Sequence, residues 1–411
     1  MKPTVVLIYG PDPTRRIGGG ERYVCAQARA AVRAGFEVHV FCLSARAGVE
    51  EGDLGTIHRV WSPVRPFRNV MARWHSPFLT RGLQRFLSRR RGPHILHAFT
   101  QSAAAAVNAA AFPFRPDTRC AAVVSVWDGL YEESVAKLAG VDPSQGLRGR
   151  INPAIEVAWN ALVMRRYEGR NYRRCQAAYV NYESIRRLLV SRYGVDPARV
   201  YRLPYAPETA FLPPADLTMP DTVSELRSAG VPLIVVISRH VPRKGLTILF
   251  RALADLLARG CAFRACFVGG GYLLEHHRRL VNELGLSHVV RVVGRVPESF
   301  DYVRPADLFV LPSLEEGSGS MSMIEAMQAG VAVIATRIDG IPEDVTDNES
   351  ALLVEPGNVR ELADAVARLL EDPALRRRVG AKGHQTFLER FSADAMTQGV
   401  AEAYGRVDFT G

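Results

Sequence analysis

The chain lacks the features that mark membrane-spanning, zinc-binding and disulfide-rich proteins. None of its apolar runs approaches the roughly 18 uncharged residues that a membrane-spanning helix needs. Its six cysteines show no Cys-x-x-Cys spacing, and several sit in apolar runs, which favours reduced, buried thiols over a metal site or disulfides. The opening MKPTVVLIYG leads into PDPTRRIGGGER rather than a small-residue cleavage site, and therefore indicates a strand and not a signal peptide. We expect a cytoplasmic protein.

Acidic residues are scarce in the first half. Residues 1–210 contain 31 Lys and Arg against 16 Asp and Glu, a net +15, whereas the remainder has 21 against 26, a net −5. A basic surface can face a phosphorylated acceptor or an anionic membrane, although arginines solvated on helix faces explain the same excess. The densest cluster is Arg81, Arg85, Arg89, Arg90 and Arg91. Interleaved stacking aromatics and nucleic-acid-binding motifs are missing, so nucleic acid is not an expected partner.

Short β-branched runs alternate with amphipathic segments in both halves, and we find no internal repeat. Runs of this length that are apolar nearly throughout suit strands buried on both faces of a parallel sheet, and the alternation predicts doubly wound α/β sheets. The predicted strands are 4–9, 37–43, 94–99, 121–127, 177–182, 232–238, 263–269, 289–294, 307–313, 331–336 and 351–355. The predicted helices include 147–175, 246–260 and 392–407.

A chain of 411 residues is too long for one compact core, and the Pro-rich stretch 205–221 precedes a fresh strand. We predict an N-terminal Rossmann-like domain at 1–210, a C-terminal Rossmann-like domain at 211–390, and a final segment, 391–411, whose helix crosses back to the first domain. Two doubly wound domains facing a central cleft would present the carboxyl ends of their strands to a ligand.

The strongest site signal is LPSLEEGSGSMSMIEAMQAGVAVIATRIDGIPEDV at 311–345, where a strand, a glycine-broken turn and a helix from about Met321 follow one another. A helix N-terminus preceded by Gly/Ser backbone offers unpaired N–H groups to an anion. Glu316 and Glu325 add carboxylates, which suit sugar hydroxyls because each accepts several charge-assisted hydrogen bonds. In the alternative interpretation Glu316 caps the helix electrostatically and Glu325 faces solvent.

Two cations, Arg239 and Lys244, lie five residues apart just after the strand predicted at 232–238. At the carboxyl end of a strand they can clamp a diphosphate and stabilise its leaving charge, although a solvated pair is the alternative. A glycine-rich segment, 16–22, is predicted as a loop between the first strand and the first helix.

These segments resemble the GT4 family of glycosyltransferases, which have the two-domain GT-B fold. The resemblance covers essentially the whole chain and adds SRHVPRKGLTILFRAL (238–253), FVGGGYLLEHHRRL (267–280) and VVGRVPESFDYVRPADLFVLPS (292–313) in the family's order. Members retain the anomeric configuration and use UDP-, GDP- or similar sugars, generally without a metal. The resemblance therefore implies a metal-independent retaining glycosyltransferase with no cofactor beyond the nucleotide sugar. Its acceptor would be a glycan, a lipid-linked glycan or a secondary metabolite.

The resemblance also implies roles for individual residues. Glu325 would hold the ribose, Glu316 the donor sugar, and Arg239 with Lys244 the diphosphate. The other implied donor contacts are Gly18, Gly19, Gly20, Gly269, Gly294, Arg295, Val296, Gly317, Ser318, Gly319, Ser320 and Met321. The residues implied in catalysis are Glu316, Asp128, Arg239 and Lys244, and Trp127 with Asp128 would contact the acceptor.

Two departures from the family pattern lie near the implied reaction centre. Trp127 stands where the family commonly has a histidine; a Trp cannot take a proton, although it can stack on a sugar. Asp128 then becomes the best candidate for contacting hydroxyl groups, unless it caps a helix. Eight residues separate Glu316 from Glu325, where the family usually has seven. An alternative function is therefore a non-catalytic nucleotide-sugar-binding subunit.

Overall fold

The computed structural model describes residues 2–15, 18–63, 72–127, 134–135, 138, 146–212 and 219–409. The chain divides into two compact units. The first unit comprises Met1–Phe211 and Ser392–Gly411, and the second comprises Leu212–Phe391.

The first unit is built on an eight-stranded sheet in the order β3-β4-β2-β1-β5-β6-β7-β8. Its strands are β1 (Thr4–Ile8), β2 (Val38–Ser44), β3 (Gly48–Gly52), β4 (Gly55–Trp61), β5 (Gly92–Phe99), β6 (Thr118–Val126), β7 (Ala177–Val180) and β8 (Val200–Arg202). Only β3 pairs in antiparallel fashion, with β4, among these described strands. Val5–Ile8 of β1 are fully buried, as expected for a central strand covered on both faces.

The second unit is built on a six-stranded, wholly parallel sheet in the order β11-β10-β9-β12-β13-β14. Its strands are β9 (Leu233–Ile237), β10 (Arg264–Val268), β11 (Val290–Gly294), β12 (Leu308–Leu311), β13 (Ala332–Thr336) and β14 (Leu352–Val354). The strand order reverses direction between β9 and β12, and ligands bind beside such a reversal at the carboxyl ends of the strands.

Helices connect the strands of both sheets. In the first unit they are α1 (Gly19–Arg33), α2 (Ala72–Leu87), α3 (Ala103–Ala110), α4 (Gly146–Trp159), a π-helical turn (Asn160–Met164), α5 (Arg165–Arg174) and α6 (Glu183–Tyr193). In the second they are α7 (Asp221–Arg227), α8 (Leu246–Ala258), α9 (Leu274–Glu283), α10 (Phe300–Val303), α11 (Met321–Gln328), α12 (Ile341–Asp344), α13 (Val359–Glu371) and α14 (Pro373–Arg390). None of the described helices is long and apolar enough to cross a membrane.

The last helix, α15 (Ala393–Gly405), packs in the first unit. Its fully buried Tyr404 hydroxyl lies 2.7 Å from Nδ1 of His97 on β5 and accepts a hydrogen bond from Gln27 of α1 at 3.1 Å. Tyr179 of β7 donates to the Ala403 carbonyl at 3.0 Å. These buried bonds fix the helix against the first sheet, because an unpaired polar group there would be costly.

Every predicted strand run contains a strand, and the doubly wound α/β prediction is confirmed: the fold is GT-B, with two Rossmann-like units. The sequence did not predict the β3–β4 hairpin, because β3 (GVEEG) is exposed throughout and contains no apolar run. The predicted loop at 16–22 was partly wrong, because α1 already begins at Gly19. Glu21 lies in that first turn, where a carboxylate favours the helix N-terminus.

Candidate functional site

The loops that follow β9 and β12 meet at the carboxyl edge of the second sheet. The loop after β9 contains a 3-10 turn, Pro242–Lys244, and then Gly245 with φ +63°. A Cβ at Gly245 would overlap the carbonyl oxygen of Pro312, so the close approach of the two loops requires glycine. The amides of Leu314 and Glu315 donate to the Arg243 carbonyl at 2.7 and 3.1 Å, which fixes the contact.

This contact brings Lys244 and Glu316 together. The Lys244 ammonium donates to Oε2 of Glu316 at 2.5 Å, and the Ser313 hydroxyl donates to Oε1 at 2.5 Å. The side chains of Lys244 and Glu316 are only 12% and 5% exposed. The implied diphosphate-binding lysine and the implied sugar-binding carboxylate are therefore partners of each other, a pairing that the spacing of the motifs does not reveal.

The electrostatics of this pair favour a further anion. Burial lowers the pKa of Lys244; Arg243 and Arg239 act in the same direction, and Glu316 opposes them. A second anion beside Lys244 would favour its protonated form. The ammonium has three donors, so it can bind Glu316 and a phosphate oxygen at the same time.

The backbone amides of Glu316 and the residue after it bind a carboxylate that was not predicted from the sequence, that of Asp339. The amides of Glu316 and Gly317 donate to Oδ2 of Asp339 at 2.7 and 2.9 Å, and the Gly340 amide donates to the Ser318 carbonyl at 2.8 Å. Asp339 has φ +45°, a conformation that Asp tolerates better than most residues. The turn after β13 thus holds the loop between β12 and α11.

Helix α11 begins as predicted at Met321, but its cap is Ser320, whose hydroxyl accepts from the Met323 amide at 3.4 Å. The interpretation of Glu316 as an electrostatic cap is wrong, because its carboxylate pairs with Lys244. The alternative in which Glu325 faces solvent is also wrong, because this residue is only 4% exposed. A carboxylate this deeply buried requires hydrogen-bonding partners, because the burial of an unpaired charge is costly.

The ends of β9, β10 and β11 bring together the other implied donor contacts of this unit. Gly269, with φ +144°, packs so tightly on the Ser238 carbonyl that no Cβ fits, and its amide donates to the Gly294 carbonyl at 2.7 Å. Gly294 is buried, Val296 is half-buried and Arg295 is exposed. Arg239 is exposed at the end of β9.

A buried histidine pair, which was not predicted from the sequence, includes the residue next to Arg239. Nδ1 of His240 and Nδ1 of His277 are 2.8 Å apart. Burial lowers the pKa of each to about 4, so both rings are neutral near pH 7 and one proton lies between them. The pair fixes α9 against the end of β9.

In the first unit, the implied loop and the implied acceptor residue are neighbours. Gly18 caps α1, and Gly19 and Gly20 form its first residues. A Cβ at Gly20 would lie 2.9 Å from the Tyr9 hydroxyl and 3.6 Å from the Trp127 ring. Trp127 is half-buried after β6, with its ring centroid 5.1 Å from that of Tyr23. Asp128 lies outside the described residues, as do Arg16 and Ile17.

The arginine cluster divides into two groups. Arg90 pairs with Glu37 at 2.5 Å and Arg91 with Asp117 at 3.2 Å. Arg81, Arg85 and Arg89 are exposed and have no ion pair within the part of the chain that the structure describes. That part also contains no group of three metal-ligating side chains.

Comparison with known proteins gives the family. A model described as Glycosyltransferase Family 4 matches residues 17–206, and one described as Glycosyl transferases group 1 matches residues 222–386. The lipopolysaccharide core biosynthesis glycosyltransferase LpsE of Rhizobium meliloti is 30% identical over 169 residues, which cover 41% of this chain and 48% of LpsE. A GDP-mannose-dependent alpha-(1-6)-phosphatidylinositol monomannoside mannosyltransferase of Mycolicibacterium smegmatis is 34% identical over 168 residues, 39% of this chain and 44% of that protein.

These matches span about half the length of the curated relatives. A likeness of fold extends over the whole chain: a sucrose-phosphate synthase from Thermosynechococcus elongatus superposes with a TM-score of 0.73 at 20% identity, covering 98% of this chain and 99% of that one. The two family models match consecutive parts of the chain, one in each unit, and the chain belongs to glycosyltransferase family 4.

Proposed function

We propose that the protein is a metal-independent, retaining glycosyltransferase that moves a hexose from a nucleotide-diphosphate sugar, with UDP- or GDP-sugar as donor. The observation that carries the proposal is the buried Lys244–Glu316 pair at the carboxyl edge of the second sheet. Arg239 acts electrostatically on the same lysine, and Glu325 is buried in the helix that follows. Cations for a diphosphate and carboxylates for hydroxyl groups thus lie in one short region of one unit.

In the proposed reaction the bond between the anomeric carbon and the β-phosphate oxygen breaks, and its electron pair stays on that oxygen. An acceptor hydroxyl oxygen forms the new bond on the same face of the sugar. Its proton passes to the leaving phosphate oxygen, so no side chain has to take it. Trp127 is compatible with this route, since it can stack on a sugar without accepting a proton. Arg239 and Lys244 stabilise the charge that develops on the phosphate.

We propose a membrane-linked glycan as the acceptor class, with a soluble glycan or secondary metabolite as the other candidates. The names of both reported relatives support this choice, because one acts in lipopolysaccharide core synthesis and the other on a phosphatidylinositol mannoside. The protein would then work in the cytoplasm, peripherally at the inner face of the membrane, where the exposed Arg81, Arg85 and Arg89 suit anionic lipids. Trp127 and Asp128 remain the predicted acceptor contacts.

A thermal-shift screen across UDP-, GDP-, ADP- and dTDP-sugars tests the donor. A donor at about 100 times its Kd adds about 2.7 kcal/mol of stability and raises the melting temperature by several degrees. Lys244→Ala should abolish the shift, and Lys382→Ala, on the exposed face of α14, should preserve it. Release of nucleoside diphosphate in the presence of an acceptor then tests transfer. Tight donor binding without turnover on any acceptor would contradict the proposed transferase activity and favour a non-catalytic nucleotide-sugar-binding subunit.

A further inference from the structure

A cavity of about 510 Å³ lies in the first unit where β7 and β8 meet α15. Its volume is within the usual range for small-molecule sites. Arg174 precedes β7 and Arg199 precedes β8, so this wall of the cavity lies at the amino ends of those strands. Trp127, in contrast, follows the carboxyl end of β6. Arg202 and Pro204, at the other end of β8, also line the cavity, but Trp127 does not, so the cavity is separate from this predicted acceptor contact.

The cavity is built from fixed elements. Tyr179, on its inner wall, is buried and donates to the Ala403 carbonyl at 3.0 Å. Gly399 of α15 lies so close to Pro204 that an added Cβ would be 2.6 Å from the proline ring. Because the helix and the end of β8 are in direct contact, the walls are held by packing rather than by a ligand.

The lining is rich in cations. It contains Arg174, Arg199, Arg202 and Arg406, together with the carboxylates of Glu402 and Asp408, a net +2. Among the described residues no carboxylate pairs with Arg174, Arg199 or Arg406. Other arginines of this unit are paired: Arg29 with Glu208 and Arg33 with Asp394, each at 2.6 Å.

We propose that this cavity is a second ligand site, distinct from the donor site, that binds a soluble phosphate ester of a sugar. Guanidinium groups bind phosphate oxygens in bidentate fashion. Glu402 can accept hydrogen bonds from sugar hydroxyls, and the half-buried Tyr201 ring offers a face for the sugar. A ligand here would contact both β8 and α15 and would stabilise the attachment of the C-terminal helix.

Calorimetric titration with glucose 6-phosphate, with glucose as the phosphate-free control, tests the proposal. We expect one glucose 6-phosphate per chain and no binding of glucose. The double variant Arg174→Ser, Arg199→Ser should raise the Kd at least tenfold, while Arg187→Ser, an exposed position on α6, should leave it unchanged. If the double variant does not fold, Arg406→Ser provides the same comparison. Lys244→Ala should retain binding, which separates this site from the donor site.

Two results would overturn the proposal. The first is glucose 6-phosphate binding that is absent, or equally tight in the cavity variants and in the parent protein. The second is binding to phosphatidic acid vesicles that depends on Arg174 and Arg199 without any binding of the soluble ester, because the cavity would then recognise a lipid headgroup.

Discussion

Glu316 has two connections that serve different purposes. Its carboxylate binds Lys244 and Ser313, and its amide donates to Asp339. The carboxylate therefore neutralises a cation that the proposed diphosphate would also contact. Its negative charge repels the diphosphate, and its oxygens can accept a hydrogen bond from a sugar hydroxyl.

Glu316→Gln separates these two effects. Removal of one negative charge should tighten the binding of free UDP or GDP roughly threefold or more, because the repulsion between two charges a few ångströms apart is about 1 kcal/mol even in water. Sugar transfer should fall by about 100-fold or more, because the sugar loses an anionic acceptor in the transition state. Calorimetry measures the nucleotide binding, and nucleoside-diphosphate release in the presence of an acceptor measures the transfer. Glu315→Gln is the matched control, and weaker nucleotide binding with unchanged transfer would contradict the assignment.

Asp339 is a second residue whose role depends on a specific geometry. Asp339→Gly keeps the left-handed backbone but leaves the amides of Glu316 and Gly317 without their acceptor. We expect a loss of about 1–3 kcal/mol, a fall of several degrees in melting temperature, and an increased KM for the donor. Asp339→Asn keeps one acceptor oxygen and should recover most of both. Equal stability and KM in all three proteins would show that the contact does not position the loop.

At the scale of the element, the sequence predicts what depends on local pattern. The strands of both sheets were predictable because burial on two faces demands apolar runs, and the start of α11 was predictable from its Gly/Ser-rich approach. The contacts that assemble the site were not. Asp339 is 23 residues from Glu316, and Lys244 is 72, so no periodicity connects them. Only the parallel order of β9, β12 and β13 brings their carboxyl ends together.

The attachment of α15 depends on the Tyr404 hydroxyl, which lies between His97 and Gln27. Tyr404→Phe keeps the packing but leaves two buried polar groups without this partner, so we expect a loss of about 1–3 kcal/mol in the first unit. Tyr201→Phe is the control, because the hydroxyl of this half-buried residue makes no hydrogen bond within the part of the chain that the structure describes, so the loss of stability should be small. Chemical denaturation with a tryptophan signal measures both. Equal stability of the two variants would contradict the role of the hydroxyl.

At the scale of the whole molecule, buried neutral histidines make stability depend on pH. Burial lowers the pKa of His97 to about 3, and of His240 and His277 to about 4, below the ordinary 6.5. As the pH falls below 6.5, these histidines become protonated in the unfolded chain but stay neutral in the folded chain. The free energy of unfolding therefore decreases as the pH falls from 6.5 towards 4. Melting temperatures measured from pH 7.5 to 5 should decline steadily. His97→Gln should reduce this decline in the first unit, and an identical decline would contradict the assignment.

The charge of the first unit gives a prediction about location. Arg81 and Arg85 are four residues apart on α2 and share one face of the helix, Arg89 lies in the turn directly after it, and all three are exposed. Near an anionic surface each contributes about 1 kcal/mol, so replacing all three with Ser should weaken binding to anionic vesicles by roughly 100-fold. High salt should abolish binding, because the charges are solvent-exposed.

The matched control removes the same charge elsewhere: Arg377→Ser, Arg378→Ser and Lys382→Ser on the exposed face of α14 in the second unit. If non-specific attraction by the net charge of +10 drove binding, both triple variants would lose equal affinity. If α2 is the contact, only its variant should fail to sediment with the vesicles. Arg90, which pairs with Glu37, and Arg91, which pairs with Asp117, are unchanged in both variants and therefore contribute equally to both measurements.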